Sequence, residues 1–278
     1  MAVKKILKNN AIIRLFSSYL VVLFLVIATC LTGFGRALDI VEENTVRESS
    51  SLLRQGSNDM DYFLKNIYNS GMKLSSSQEL KELGKYTDTD SLDYYYKAKA
   101  VLGDFEEALK YLDSEVYQDS FIYINNIDKF FFQGGVYRSS VFDCYLTKWN
   151  VNREEWTDVC EGNRTAPGFY VTDSDELFYY FPCIDISGKN ERIATVFFHI
   201  DRKFLLNKMQ FLQNYSTYSI FLEQNGTVIL EVDGFGTGIP LDVVQKFDDT
   251  TKEQTARIGE QLVLQKRSDS IRGNYILV

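Results

Sequence analysis

Proline is almost missing from this chain: three occur in 278 residues, at positions 167, 182 and 240. The first 166 residues therefore hold no obligatory helix breaker. Histidine is scarcer, with His199 alone, so a metal or proton-relay site built on imidazoles has no second ring to use. Four cysteines are present and no two are in Cys-x-x-Cys spacing, which removes the usual zinc and dithiol patterns. Basic residues are outnumbered, 30 against 38 acidic, and four of them (Lys4, Lys5, Lys8 and Arg14) sit in an acid-free start. Downstream of Arg14 the balance is 26 basic against 38 acidic residues. A body that acidic repels nucleic acid.

What is present can build a core. Apolar residues make up 45% and aromatics 14%, enough for one large or two small folded units. The charged fraction of 24% is ordinary for a folded chain.

Between Arg14 and Arg36 lie 21 residues without a charge, Leu15 to Gly35. At about 1.5 Å per residue this helix would span roughly 30 Å, the thickness of a bilayer's hydrocarbon core. Basic residues precede it, while Asp39, Glu42 and Glu43 follow. The positive-inside rule puts residues 1–14 in the cytoplasm and everything from Arg36 outside the cell membrane. Two alternatives stay open: a cleaved signal ending near Gly33-Phe34-Gly35, or a lipoprotein signal at Ile27-Ala28-Thr29-Cys30. Both also export the body. Cys30 lies inside the run, leaving Cys144, Cys160 and Cys183 outside. Cys144 and Cys160 bracket a short polar stretch and could form a disulfide in an oxidising compartment; ordinary semi-buried thiols are the other reading.

From Arg36 to about Leu83, apolar Leu38, Val41, Leu52, Phe63, Ile67 and Leu74 fall near a 3.5-residue register. The spacing predicts one long helix leaving the membrane, or two helices breaking at Gly56 or Gly71. Residues 84–97 read as a turn entering a helix over 98–112. Strand-like runs follow at 116–124, 130–133, 168–172, 177–184 and 192–200, with a helical, polar segment over 139–161 and a turn over 185–190. A helix is expected over 202–213. A shorter second cycle comes next: a hairpin of 218–222 and 227–232 about Asn225-Gly226, a helix over 240–247, and strands over 256–265 and 272–278. The sequence stops on a strand pattern and reads as cut within a domain.

Several segments resemble the double Cache sensory module of bacterial membrane receptors. Phe178-Tyr179-Tyr180-Phe181-Pro182 resembles the penultimate strand of its distal subdomain. Ala194-Thr195-Val196-Phe197-Phe198-His199-Ile200-Asp201, leading to Phe204-Leu205-Leu206, is similar to the family's strand ending in Ile-Asp before a helix. Tyr218 to Leu222 with Asn225 to Ile229 resembles the opening hairpin of the proximal subdomain. The stretch Trp149 to Trp156 resembles the version in membrane-anchored AraC-type regulators of Gram-positive bacteria.

The resemblance covers nearly the whole chain. It implies an α+β fold: a transmembrane helix (15–35), a long stalk helix (36–83), a distal PAS-like antiparallel sheet with a linking helix (84–213), and a second, truncated PAS-like sheet (214–278). It also implies a ligand pocket in the distal subdomain and a missing second membrane helix and output domain, through which alone DNA would be touched; the thin apolar stripe of the long helix suits packing against the same helix of a second subunit, so a homodimer is expected. A histidine kinase or chemoreceptor sensor, or an anchored surface protein without output, are the alternatives. The family's amino-acid signature, an Arg two residues before Trp-Tyr, is not matched: Thr147 precedes Trp149 and Glu154 precedes Trp156, neither followed by Tyr.

The expected function is sensing of a small extracellular ligand or an extracellular binding protein, with no enzymatic activity and no cofactor. Tyr145, Trp149, Trp156, Tyr170 and Asp173 fall on the elements that would rim the pocket, where aromatic walls and one or two polar anchors are the usual equipment. The same aromatics could simply fill a core. Gly234-Phe235-Gly236-Thr237-Gly238 has no following Lys-Ser/Thr and reads as a loop, not a phosphate cradle. His199 has no partner pattern for a nucleophilic triad. Glu106-Glu107 and Glu154-Glu155 diverge on a helix and read as solvated faces.

Overall fold

With no proline to stop it, the N-terminal part forms one helix, α1 (Ala2–Ser76). The computed structural model describes residues 2–112, 116, 119–161, 166–172, 174, 176–185, 191–208, 219–224, 227–233, 251–258, 261–270 and 274–277. Contacts divide the chain into two units, residues 1–51 and 52–278. In the first unit Leu15, Phe16, Phe24 and Leu31 are exposed, and the helix is long and apolar enough to cross a membrane. Its polar side chains serve their own backbone: the Thr29 and Thr32 hydroxyls donate to the carbonyls of Leu25 and Ala28 at 2.8 and 3.0 Å.

The helix runs unbroken through Gly56 and Gly71, so the alternative of two helices breaking there does not occur. Gly71 packs directly on Phe181: a Cβ there would lie 2.5 Å from Cδ2 of that ring. The helix ends earlier than residue 83, at Ser76. Ser77 begins a separate helix, α2 (Gln78–Leu83), its Oγ accepting from the Leu80 N–H. Helix α3 (Leu92–Leu109) starts before the apolar spacing does, because Ser91 caps it by accepting from the Tyr94 N–H.

Six strands follow: β1 (Phe121–Ile124), β2 (Lys129–Phe132), β3 (Gly135–Arg138), β4 (Gly168–Val171), β5 (Leu177–Asp185) and β6 (Glu191–Ile200). They form one antiparallel sheet in the order β3-β2-β1-β6-β5-β4. The hairpin strand β3 was not legible, and the helical segment at 139–161 is two helices, α4 (Ser139–Lys148) and α5 (Arg153–Glu161). After α6 (Arg202–Lys208), β7 (Ser219–Gln224), β8 (Thr227–Asp233), β9 (Glu253–Ile258), β10 (Gln261–Arg267) and β11 (Asn274–Leu277) form a second antiparallel sheet, β8-β7-β11-β10-β9. The single strand expected over 256–265 is therefore the hairpin β9–β10. The turns at 186–190 and 225–226, the helix at 240–247, residues 209–213 and the glycine cluster at 234–238 lie outside the described residues.

Both sheets repeat one order. Taking strands in sequence within each, the arrangement is second, first, last, then the two preceding strands; the first sheet adds β3 at its edge. The chain is thus α+β, with two sheets of the same topology.

The first sheet is covered on both faces, which explains why its strands read as continuous apolar runs. Side chains alternate with period two. Ile122, Ile124, Phe131, Tyr179, Phe181, Val196 and Phe198 enter one core with the 53–74 face of α1 and with α2 and α3. Phe121, Tyr123, Phe130, Phe132, Phe178, Tyr180 and Phe197 enter the opposite core with α4 and α5. Register aligns Phe132, Phe121, Phe197 and Tyr180 in one row across four strands.

The second sheet meets α1 through polar groups. Arg54, Ser57, Asn58 and Asp61 recur at helical spacing. Arg54 pairs with Glu253 at 3.0 Å, and the Lys266 ammonium donates to Ser57 Oγ and Asn58 Oδ1, both at 2.6 Å. The buried carboxylate of Asp61 accepts from Tyr275 Oη at 2.9 Å, from the Asp269 N–H at 3.1 Å, and from the Ser268 hydroxyl.

Candidate functional site

Helical spacing on α4 puts Phe142, Leu146 and Trp149 on the face against the sheet, and on α5 does the same for Trp156, Val159 and Cys160. The reversal between the helices uses Asn150 at φ +50, a left-handed conformation that asparagine tolerates better than most residues. Asn152 then opens α5, its Oδ1 accepting from the Glu154 N–H at 3.0 Å. At the far end Arg192 of β6 donates to the carbonyls of Val159 and Cys160 at 2.6 and 2.8 Å, and Thr195 donates to Cys160 at 3.1 Å. These bonds satisfy the orphan carbonyls of α5 and clamp it to the sheet.

Between these helices and the β1–β2 end of the sheet lies a cleft of about 310 Å³. Tyr123, Asn125, Asp128 and Phe130 come from the strand side, Ser139, Phe142, Asp143 and Leu146 from α4, and Arg153, Trp156, Thr157 and Cys160 from α5. The wall is aromatic, with Phe130 and Phe142 stacked at 3.9 Å and Tyr123 on Phe130 at 4.6 Å. The polar groups are unevenly matched. Arg153 pairs with Asp143 at 3.3 Å. Asp128, at φ +49, accepts from Tyr123 Oη at 3.1 Å and from the Ser139 hydroxyl, and no Lys or Arg among the described residues pairs with it. Two buried polar atoms on lining residues have no hydrogen-bond partner: Trp156 Nε1, a donor, and Asn125 Oδ1, an acceptor. Buried groups of that kind cost about 1–3 kcal/mol each when unpaired. A ligand that reached both would recover that energy on binding.

The residues singled out from sequence divide. Trp156 lines the cleft and is 3% exposed. Trp149 is fully buried behind it, stacked on Phe121 at 6.0 Å and edge-on to Phe178 at 4.8 Å, so it packs the core and does not reach the cleft. Tyr145 is half-buried on the rim of the same cluster, stacked on Phe132 at 4.8 Å. Tyr170 meets the Trp156 ring edge-on at 5.9 Å from β4. Asp173 lies outside the described residues. Asn125, Asp128, Asp143 and Arg153 were missed. An Asn-Asn-Ile-Asp turn between two aromatic strands was the one available signal, and only for the first two.

Of the two readings of Cys144 and Cys160, the structure has free thiols and not a disulfide. Cys144 is on the solvent face of α4, while Cys160 is turned into the aromatic core. Cys183 is also buried, which pushes its thiol up to about 12. His199 sits on β6 with Nε2 2.8 Å from Glu176 and Nδ1 3.7 Å from Asp119, its ring against Phe178 and Trp149. No hydroxyl or thiol nucleophile is among these ring partners. No group of three or more metal-ligating side chains occurs among the described residues.

No family model matches the chain, and no curated protein matches it. Among solved structures it is similar to an extracellular ligand binding receptor from Desulfohalobium retbaense, at 12% identity over 83% of this chain and 39% of that one, with a TM-score of 0.48. The chain thus spans about two fifths of that receptor's length. It is also similar to the sensory domain of the Campylobacter jejuni chemoreceptor Tlp3 with isoleucine bound, at 10% identity over 84% of this chain and 92% of that one, TM-score 0.42. The periplasmic domain of Vibrio cholerae LuxQ matches at 13% identity over 83% and 98% of the two chains, TM-score 0.38. The first of these is described as an extracellular ligand binding receptor, the second as a sensory domain and the third as a periplasmic domain.

Proposed function

We propose that this chain is the membrane-anchored, extracytoplasmic sensory region of a bacterial signalling receptor, that it is not an enzyme, and that a small molecule occupies the cleft under α4 and α5. The observation that carries the reading is the cleft itself. It is aromatic-walled, held by a clamped helix, and carries one unpaired donor and one unpaired acceptor, both buried atoms of lining residues. The charge-free run from Leu15 to Gly35 with basic residues on its N-terminal side supports the anchor and its orientation. Double Cache modules are the family this reading favours, and the Trp149 to Trp156 stretch favours an AraC-type regulator, dimeric and reaching DNA through a separate output domain. Binding would favour one of two packings of α1 against the first sheet, the kind of bistable element that transmits a signal.

The test is a thermal-shift screen of the chain against pooled small metabolites, repeated on Thr157→Phe, which fills the cleft from α5. A ligand at about 100 times its Kd stabilises by about 2.7 kcal/mol. In a folded unit of this size that raises Tm by roughly 5–10 °C. The stabilisation is expected to vanish in Thr157→Phe. A ligand that stabilises both proteins equally would place the site elsewhere.

A further inference from the structure

The charges around the cleft say which class of ligand it takes. Two carboxylates, Asp128 and Asp143, face one guanidinium, Arg153, and that guanidinium is engaged by Asp143. Asp128 is left as a net negative charge at the cleft wall. It is solvent-exposed, and it is held in place. Its backbone is fixed in the left-handed region by the turn bond from its own N–H to the Asn125 carbonyl at 3.2 Å. Each of its oxygens accepts one hydroxyl, from Tyr123 and from Ser139. A carboxylate offers about four acceptor positions, so further ones remain for an incoming donor.

Asn125, one helical turn before Asp128, adds an unpaired buried acceptor, and the opposite wall adds one unpaired buried donor, Trp156 Nε1. The surplus is therefore acceptors and negative charge on the strand side and a single neutral donor on the helix side.

Resting on the cleft reading above, we infer that this site selects a small organic cation: an ammonium group directed to Asp128 and Asn125, with a neutral hydrogen-bond acceptor directed to Trp156 Nε1. An amino alcohol is the simplest molecule of that class. A zwitterionic amino acid brings a carboxylate into a wall whose one guanidinium is already paired, and a plain carboxylate brings nothing for Asp128.

The chain has two tryptophans, so labelling the indole nitrogens gives two signals, and Trp149→Phe assigns them. The full chain in lipid nanodiscs is titrated with alaninol, valinol, leucinol and phenylalaninol, with the parent amino acid of each, and with the matching carboxylic acid that lacks the amine. At least one amino alcohol is expected to move the Trp156 signal with a Kd at least ten-fold lower than its amino acid or acid. Asp128→Asn keeps a residue that tolerates the left-handed backbone, and in it that preference disappears while the unliganded spectrum is retained. An amino acid or acid that moves Trp156 as readily as the amino alcohol overturns the cation and leaves the cleft intact. Unchanged discrimination in Asp128→Asn, or no movement of Trp156 with any compound, also overturns it. A compound that stabilises the chain while moving neither indole sinks the cleft reading itself.

Discussion

Replacing Asp61 by alanine tests how α1 is held to the second sheet. The carboxylate is buried, and three donors converge on it: Tyr275 Oη, the Asp269 N–H and the Ser268 hydroxyl. Its removal takes the carboxylate acceptor from Tyr275 Oη, on a residue 1% exposed, and from the hydroxyl of Ser268, which is 6% exposed. Hydrogen bonds to a charged group contribute about 1.5–3 kcal/mol each. The three share one acceptor, so their losses overlap, and about 3–5 kcal/mol is the reasonable sum. At about 2–4 °C per kcal/mol, Tm should fall by roughly 6–20 °C. Tyr275→Phe deletes one donor and leaves the carboxylate its other two, so it should cost about 1–2 kcal/mol. The double variant should cost less than the two losses together, because they break a shared bond. Asp59→Ala, an exposed acid two residues away, is the control and should stay within about 0.5 kcal/mol of the parent. The assay is differential scanning fluorimetry of the purified chain with matched detergent. If Asp61→Ala melts with Asp59→Ala, the polar stripe contributes nothing and the reasoning fails.

Gly71→Ala opposes two effects. Alanine gains about 1 kcal/mol of helix propensity over glycine, but its Cβ would lie 2.5 and 2.8 Å from Cδ2 and Cγ of Phe181. Those atoms are near the root of a ring pinned edge-on by Tyr68 at 5.5 Å, so the clash wins and a Tm loss is expected; an unchanged or raised Tm would contradict it. Lys97 bonds to Glu82 and, with Gln78, holds its carboxyl below the usual range. A carboxyl depressed in the folded state stabilises above its unfolded pKa, about 4.3, and that stabilisation is lost as pH falls through the lower folded value. Thermal melts from pH 7 to 3 should show a smaller acid loss in Glu82→Gln than in the parent. Trp149→Ala, at the centre of the second core, should cost about 3–5 kcal/mol in denaturant unfolding.

The elements were legible where a single face decided them. The strands of the first sheet announced themselves because both faces are covered, and α4 and α5 because Phe142, Leu146 and Trp149 keep a helical period. Boundaries failed where one local bond decides. Ser77 ends one helix and starts another through one hydroxyl, and Asn150 splits 139–161 by adopting a backbone that no periodicity reveals. Gly71 looked like a hinge and is a packing contact, which requires knowing that Phe181 sits opposite. The same holds for the site. Aromatic residues pointed to the helices that wall the cleft but could not separate Trp156, which lines it, from Trp149, which lies behind it. Asp128 and Arg153 are polar residues among many, and register and crossing alone bring them to one cleft. The polar stripe on α1 interrupted an apolar register and so read as imperfection; its partners are about 200 residues further along the chain.

Orientation is the claim on which the receptor reading stands, and one thiol measures it. Cys144 is exposed on α4, while Cys160 and Cys183 are buried. With Cys30 changed to serine, a membrane-impermeant maleimide should label intact cells at Cys144, and Cys144→Ser should abolish the signal. Labelling of Cys144 that appears only after the cells are lysed would put the body in the cytoplasm and contradict the account.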